Sequence, residues 1–207
     1  MNSSFFPSPY GYHASIIIAF AIIGFGLKYI DDAFDEELFS KNVAVLMAPI
    51  LVLIWVCLSL FDSISATVLF SILLAVLLSG KVDNVIFIAS SIALIVILFL
   101  TQVVHFSLIP LLVLTVMGIV DEKGNDYVDS HKTREVGEFF FSHRCGMKVG
   151  TLSLCIATLL PWLYLVAFLA FDTAYEVVRI FEYPRVPNFS LTFKKLQLAI
   201  IVLKKFK

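Results

Sequence analysis

Long uncharged stretches alternate with short bursts of charge along this chain. Residues 42–61, 63–80, 85–120 and 149–171 contain no Asp, Glu, Lys or Arg, giving runs of 20, 18, 36 and 23 residues. About 17–25 apolar residues in helical form are enough to cross the hydrocarbon of a bilayer. The pattern therefore predicts an all-α, polytopic transmembrane helical bundle with six or seven spans.

Helices are expected at about 13–29, 43–60, 64–79 and 85–100, a fifth ending near Val120, and a sixth from about 136–141 to about Ala170. Thr101, Gln102, His105 and Pro110 mark the break inside the 36-residue run, because proline removes a backbone donor and clashes with the preceding turn. Pro161 is expected to bend the sixth helix. The first stretch lacks the Lys or Arg flank of a signal peptide and reads as a retained helix.

Alternating crossings place the polar connections 31–41, 80–84 and 121–148 on one side of the bilayer, while the turns at 61–63 and 101–105 are nearly free of charge. The whole chain, 1–207, is expected to be a single transmembrane domain with 121–148 as its long polar loop. Residues 172–207 form a tail carrying an interfacial or seventh transmembrane helix, since 189–206 is apolar but interrupted by Lys194 and Lys195. The distribution of Lys and Arg slightly favours a cytoplasmic position for the polar face, so the expected localisation is that of an integral membrane protein.

Composition agrees with that pattern: 60% of residues are apolar and 15% charged, against about 45–50% and 25% in ordinary soluble domains. A net charge of −1 with no basic cluster gives no reason to expect nucleic acid as a partner. Cys57, Cys145 and Cys155 are too few and scattered for a disulfide framework and read as small apolar side chains. The four histidines lack a metal-ligand spacing, and no zinc site is inferred.

The polar connections carry the candidate chemistry. Asp31 and Asp35 stand at i and i+4 and share a helix face if the first helix continues through them. Mg²⁺ would relieve their repulsion, since it accepts one or two carboxylates while bridging to phosphate. The competing reading is a solvated acidic helix end neutralised by Lys28 and Lys41. Asp32, Glu36 and Glu37 are expected to be solvent-facing charges or local partners of lysines, with Asp32 also able to support the ligands of a metal from behind.

Lys81 and Asp83, beside Gly80 and Asn84, suit phosphate binding at a tight turn; alternatively the segment is a turn followed by a helix cap. Asn125, Asp126 and Asp129 offer a second contact for a metal and its ligand, or else an acidic loop. Arg144 and Lys148 share a helical face and suit a diphosphate clamp, or a basic flank that snorkels. Glu138 or Asp83 is the candidate for accepting or repositioning a proton.

Asn125-Asp126-Tyr127-Val128-Asp129 resembles the start of the Asn-Asp-x-x-Asp-x-x-x-Asp motif of UbiA-superfamily membrane prenyltransferases. Asp31-Asp32-Ala33-Phe34-Asp35 resembles that family's Asp-x-x-x-Asp motif, the two standing here in reverse order. The resemblance implies that Asp31, Asp35, Asp126 and Asp129 hold Mg²⁺ against a prenyl diphosphate in a helical bundle. The expected function is thus an integral membrane enzyme performing Mg-dependent prenyl transfer or cyclisation on an isoprenoid diphosphate or related membrane lipid. The alternatives are a lipid-phosphate hydrolase and a cation channel, transporter or lipid-binding membrane scaffold.

Overall fold

The apolar runs fold as helices, and the breaks inside them decide how long each helix is. A computed structural model describes residues 9–82, 84–101, 105–131 and 135–180, with the backbone alone of Pro9, Asp129 and Glu135. Among the described residues there are eight helices: α1 (Pro9–Phe34), α2 (Lys41–Phe61), α3 (Ser63–Ser79), α4 (Val85–Thr101), α5 (Leu108–Ser130), α6 (Glu135–Ser142), α7 (Cys145–Ile156) and α8 (Trp162–Ile180).

Local chemistry sets the boundaries. Asp62, extended at φ −145°, ends α2 and opens α3, where its carboxylate accepts the Ser65 N–H at 2.8 Å. That bond satisfies one of the donors that the first turn of a helix leaves unpaired. Gly80 closes α3 in the left-handed region, φ 74°, and the following Lys81 N–H bonds back to Val76 O. This is the usual glycine-ended helix stop. Asn84 then accepts the Ile86 and Phe87 N–H groups through Oδ1 and starts α4.

The core forms where α1 lies along α8 and α3 along α5. Ile16, Phe20 and Ile23 line one stripe of α1 and belong to the same buried cluster as Tyr164, Ala167, Phe168 and Phe171 of α8. Contact there is backbone to backbone: a Cβ on Gly24 would stand 2.2 Å from Phe171 O. A second cluster, Ile30, Ala33, Ala44, Ala48 and Leu51, joins α1 to α2, and α4 rests mainly on α2.

This architecture corrects the six or seven transmembrane spans. Among the described residues only α1 and α2 are long and apolar enough to cross a membrane by length and composition. The run 149–171 is not one helix, because α7 stops at Ile156 after 12 residues and Thr158, at φ 59°, turns the chain before α8. At about 1.5 Å per residue, such a helix reaches well short of the roughly 30 Å of hydrocarbon. The run 85–120 likewise divides into the 17-residue α4 and the front of α5.

Two of the four charge-free runs, 85–120 and 149–171, are therefore not uninterrupted helices. The expectation of a polytopic integral membrane protein with a cytoplasmic polar face is corrected by the same finding, the packed eight-helix bundle. The segment 121–148 also differs from a simple loop, being the charged half of α5, then α6 and the start of α7. Of the tail, 172–180 continues α8, and the helix expected within 181–207 lies outside the described residues.

Candidate ligand-binding site

The charged residues gather at one end of the bundle around a cavity of about 420 Å³. The last turns of α1 supply Lys28, Asp31, Asp32, Asp35 and Glu36, and Lys81 follows α3. From α5 come Asp121, Glu122 and Asn125; Arg144 stands between α6 and α7; α8 presents Tyr175, Glu176 and Arg179 at helical spacing. The wall thus carries seven carboxylates and four cations.

Most of these charges are held by partners. Lys28 Nζ lies 2.6 Å from Asp32 Oδ1 and 3.2 Å from Asp31 Oδ2. Lys81 pairs with Asp126. Arg179 donates to Ser142 O at 2.7 Å and lies 3.5 Å from Glu176 Oε1. Lys148 pairs with Asp172 at 2.7 Å and donates to His143 O. Arg144 Nη2 is 2.9 Å from Glu122 Oε1 and donates to the Tyr175 hydroxyl at 3.2 Å.

Tyr175 is the centre of the cationic part of the wall. The Arg144 guanidinium carbon stands 4.2 Å from its ring centroid and Lys28 Nζ 5.7 Å from it, both within cation–π range. Burial pushes the Tyr175 hydroxyl up from its usual pKa, so at neutral pH it is a phenol with a proton to donate. Burial opposes the charge on Arg144, but Tyr175, Glu122 and Asp172 outweigh it and raise its pKa.

Asp121, 1% exposed, reaches across from α5 to the first turn of α7. It accepts the Gly146 N–H at 2.8 Å and the Met147 N–H at 2.7 Å. Its burial pushes the carboxyl up from the usual range, against the lowering effect of these two bonds and of Arg144.

An apolar groove adjoins the charged cavity between α1, α2, α3 and α4, with a volume of about 70 Å³. Leu27, Ile72, Val76 and Phe87 line both spaces. Trp55 lines the groove, and its Nε1 has no hydrogen-bond partner among the described residues.

Comparison with protein-family models, curated proteins and solved structures finds no match. The geometry therefore carries the functional argument.

Of the residues singled out from sequence, Asp31, Asp35, Lys81, Asn125 and Arg144 line the cavity. Asp126 stands beside it on Lys81, and Lys148 is turned to Asp172. Glu138 is exposed on α6 and is not part of the cavity wall, while Asp83 and the Asp129 side chain lie outside the described residues.

Among the described residues no group of three or more His, Cys, Asp or Glu is placed to hold a metal ion. The reason is visible in the pairing: lysine ammonium groups stand against Asp31, Asp32 and Asp126. This finding, with the span count, overturns the expectation of a Mg-dependent membrane-embedded prenyltransferase or lyase.

Asp32 is 1% exposed rather than solvent-facing; of its readings it takes that of a local partner of a lysine, because α1 continues to Phe34 and places it one turn beyond Lys28. The sequence reading also passed over Tyr175, Glu176 and Arg179. Their signal is the polar recurrence Asp172, Tyr175, Glu176, Arg179 in an otherwise apolar stretch, which marks one face of a helix turned to something polar.

Proposed function

We propose that this protein binds an amphiphile, whose ionic head enters the charged cavity while the start of its apolar chain lies in the adjoining groove. The observation that carries this reading is the shared wall of Leu27, Ile72, Val76 and Phe87. A single molecule lying along that wall would touch both spaces.

The groove sets the scale of the tail. Its 70 Å³ is about half of the roughly 150 Å³ that takes up a benzene-sized guest, so the first few carbons are enclosed and the remainder lies outward. Each enclosed methylene contributes about 0.8 kcal/mol, which leaves the head to supply much of the selectivity. A phosphorylated isoprenoid or lipid has this form, and the resemblance of the acidic segments to UbiA-superfamily motifs supports the same ligand class. The surplus of carboxylates suits a head that arrives with a cation. Mg²⁺ is the ion proposed, held by one or two carboxylates and the ligand's own phosphate.

Trp55 makes the proposal measurable. In a Trp162→Phe background, titration with geranyl phosphate is expected to give a saturable change in Trp55 emission that inorganic phosphate does not give. Binding is expected to be tighter with Mg²⁺ than with EDTA, and Val76→Trp, which fills the shared wall, is expected to abolish it. Absence of a saturable signal with geranyl phosphate, geraniol, decanoate and decylamine alike overturns the reading.

A further inference from the structure

Arg144 occupies an unusual position. It stands at the N-cap of α7 with φ 49° and ψ 45°, in the left-handed region, and its side chain makes no capping bond. Residues with a Cβ rarely adopt that conformation, and N-caps are ordinarily Ser, Thr, Asp or Asn, whose short side chains accept the first-turn N–H groups. Here the cap comes from another helix. The buried Asp121 carboxylate accepts the Gly146 and Met147 N–H groups, and a Cβ at residue 146 would stand 2.6 Å from Asp121 Oδ1. Residue 144 is thereby relieved of capping, and its side chain is turned into the cavity.

The guanidinium there is only partly used. Both of its polar contacts, to Glu122 and to the Tyr175 hydroxyl, are made through Nη2. Nε and Nη1 have no hydrogen-bond partner among the described residues. A guanidinium offers five donors in a planar fork that matches a carboxylate or phosphate. The ring of Tyr175 lies against the guanidinium, its centroid 4.2 Å from the central carbon, with Lys28 near the same ring.

From this geometry we infer that Arg144 is the head-group receptor, that the head it takes is an oxyanion, and that Asp121 is its positioning residue. This rests on the amphiphile reading and deepens it, since it assigns the chemistry of the head. Nε and Nη1 donate to two oxygens of the anion, and Asp121 acts by holding the turn that aims them.

The test compares geranyl phosphate, geraniol and inorganic phosphate on the full chain and on the variants Arg144→Gly, Arg144→Lys and Asp121→Asn. Glycine suits the positive φ at residue 144, so Arg144→Gly keeps the turn while removing the fork. The wild type is expected to prefer geranyl phosphate over geraniol by about tenfold or more, the usual scale of a charge-assisted hydrogen bond. Arg144→Gly is expected to lose that preference with geraniol binding unchanged, and Arg144→Lys to keep part of it. Asp121→Asn is expected to lose it although the arginine is present, and the Arg144 Nε NMR signal, expected to move on addition of geranyl phosphate to the wild type, is expected to stay still in this variant.

Equal affinity of the wild type for geraniol and geranyl phosphate overturns the oxyanion assignment and leaves the amphiphile reading standing. Arg144-dependent binding of inorganic phosphate, with no binding of any amphiphile, does the reverse. Retention of the wild-type preference and NMR shift in Asp121→Asn removes Asp121 from its positioning role.

Discussion

Gly24→Ala tests the contact on which the cavity is built. Gly24 lies one turn before Lys28 on α1, and Phe171 lies one turn before Tyr175 on α8, so the close approach of the two backbones sits directly beneath the Lys28–Tyr175 pair. A Cβ at residue 24 would stand 2.2 Å from Phe171 O, 2.9 Å from its carbonyl carbon and 3.0 Å from its Cα. Ordinary contact begins near 3.4 Å, and these atoms are main chain that cannot rotate aside. The helices must separate by more than 1 Å locally.

Overpacking of this kind costs about 1–3 kcal/mol, occasionally more. For a chain of this size each kcal/mol shifts Tm by about 2–4 °C, and a drop of about 2–12 °C follows. Lys28, now 5.7 Å from the Tyr175 ring centroid, moves to or past the edge of the roughly 6 Å cation–π range. Binding of geranyl phosphate therefore weakens along with stability. Thermal melts by circular dichroism and Trp55 titration measure the two effects. Gly137→Ala is the control, because a Cβ there meets nothing within 4 Å and helix propensity alone stabilises by about 0.5–1 kcal/mol. A Gly24→Ala protein with Tm within about 1 °C of wild type and unchanged binding refutes the backbone contact.

The sequence pattern carried the charged end of the molecule further than it carried the helix lengths. Asp31, Lys81 and Asn125 come from three separate connections, each more than 40 residues from the next, yet together with Arg144 they line one cavity. Charged groups in an apolar chain have few places to go, and the ends of helices that run back and forth collect them. The breaks were harder to see. Thr158 at φ 59° is the residue that ends α7 within an apolar stretch, and nothing in Ala157-Thr158-Leu159-Leu160 announces a turn by composition. The partner of each charge was equally hidden. Lys28 holds Asp32 as well as Asp31 because α1 runs on to Phe34, and that continuation ties Asp31, one of the apparent metal ligands, into an ion pair. Asp121 as the cap of α7 depends on a contact 25 residues away in sequence, which helical periodicity does not encode.

Two further outcomes follow from the packing and the buried phenols. Gly124→Ala places a Cβ 2.1 Å from Phe141 Cδ1; since that ring is a side chain, α6 shifts while the bundle holds, and amide exchange across 135–142 is expected to accelerate with a smaller loss of Tm than Gly24→Ala. A normal exchange rate there argues against the seating of Phe141 on α5. At the opposite end of the bundle, Tyr164 donates to both oxygens of Asp62 at 2.9 and 2.8 Å. Burial first, and the Asp62 charge second, push its hydroxyl well above the usual value of 10. Tyr12 is raised by burial and by the same carboxylate. An unfolded chain releases the phenolic proton near pH 10 while the folded chain keeps it, so above pH 10 the folded state binds more protons and stability falls as pH rises. The contribution is whole below pH 10 and is lost toward the folded-state value, at up to about 1.4 kcal/mol per pH unit for one proton. Melts from pH 8 to 11.5 are expected to show a steeper alkaline decline in wild type than in Tyr164→Phe, which has no such proton to lose; coincident slopes would mean that the Tyr164 hydroxyl is not bound to Asp62 in the folded chain.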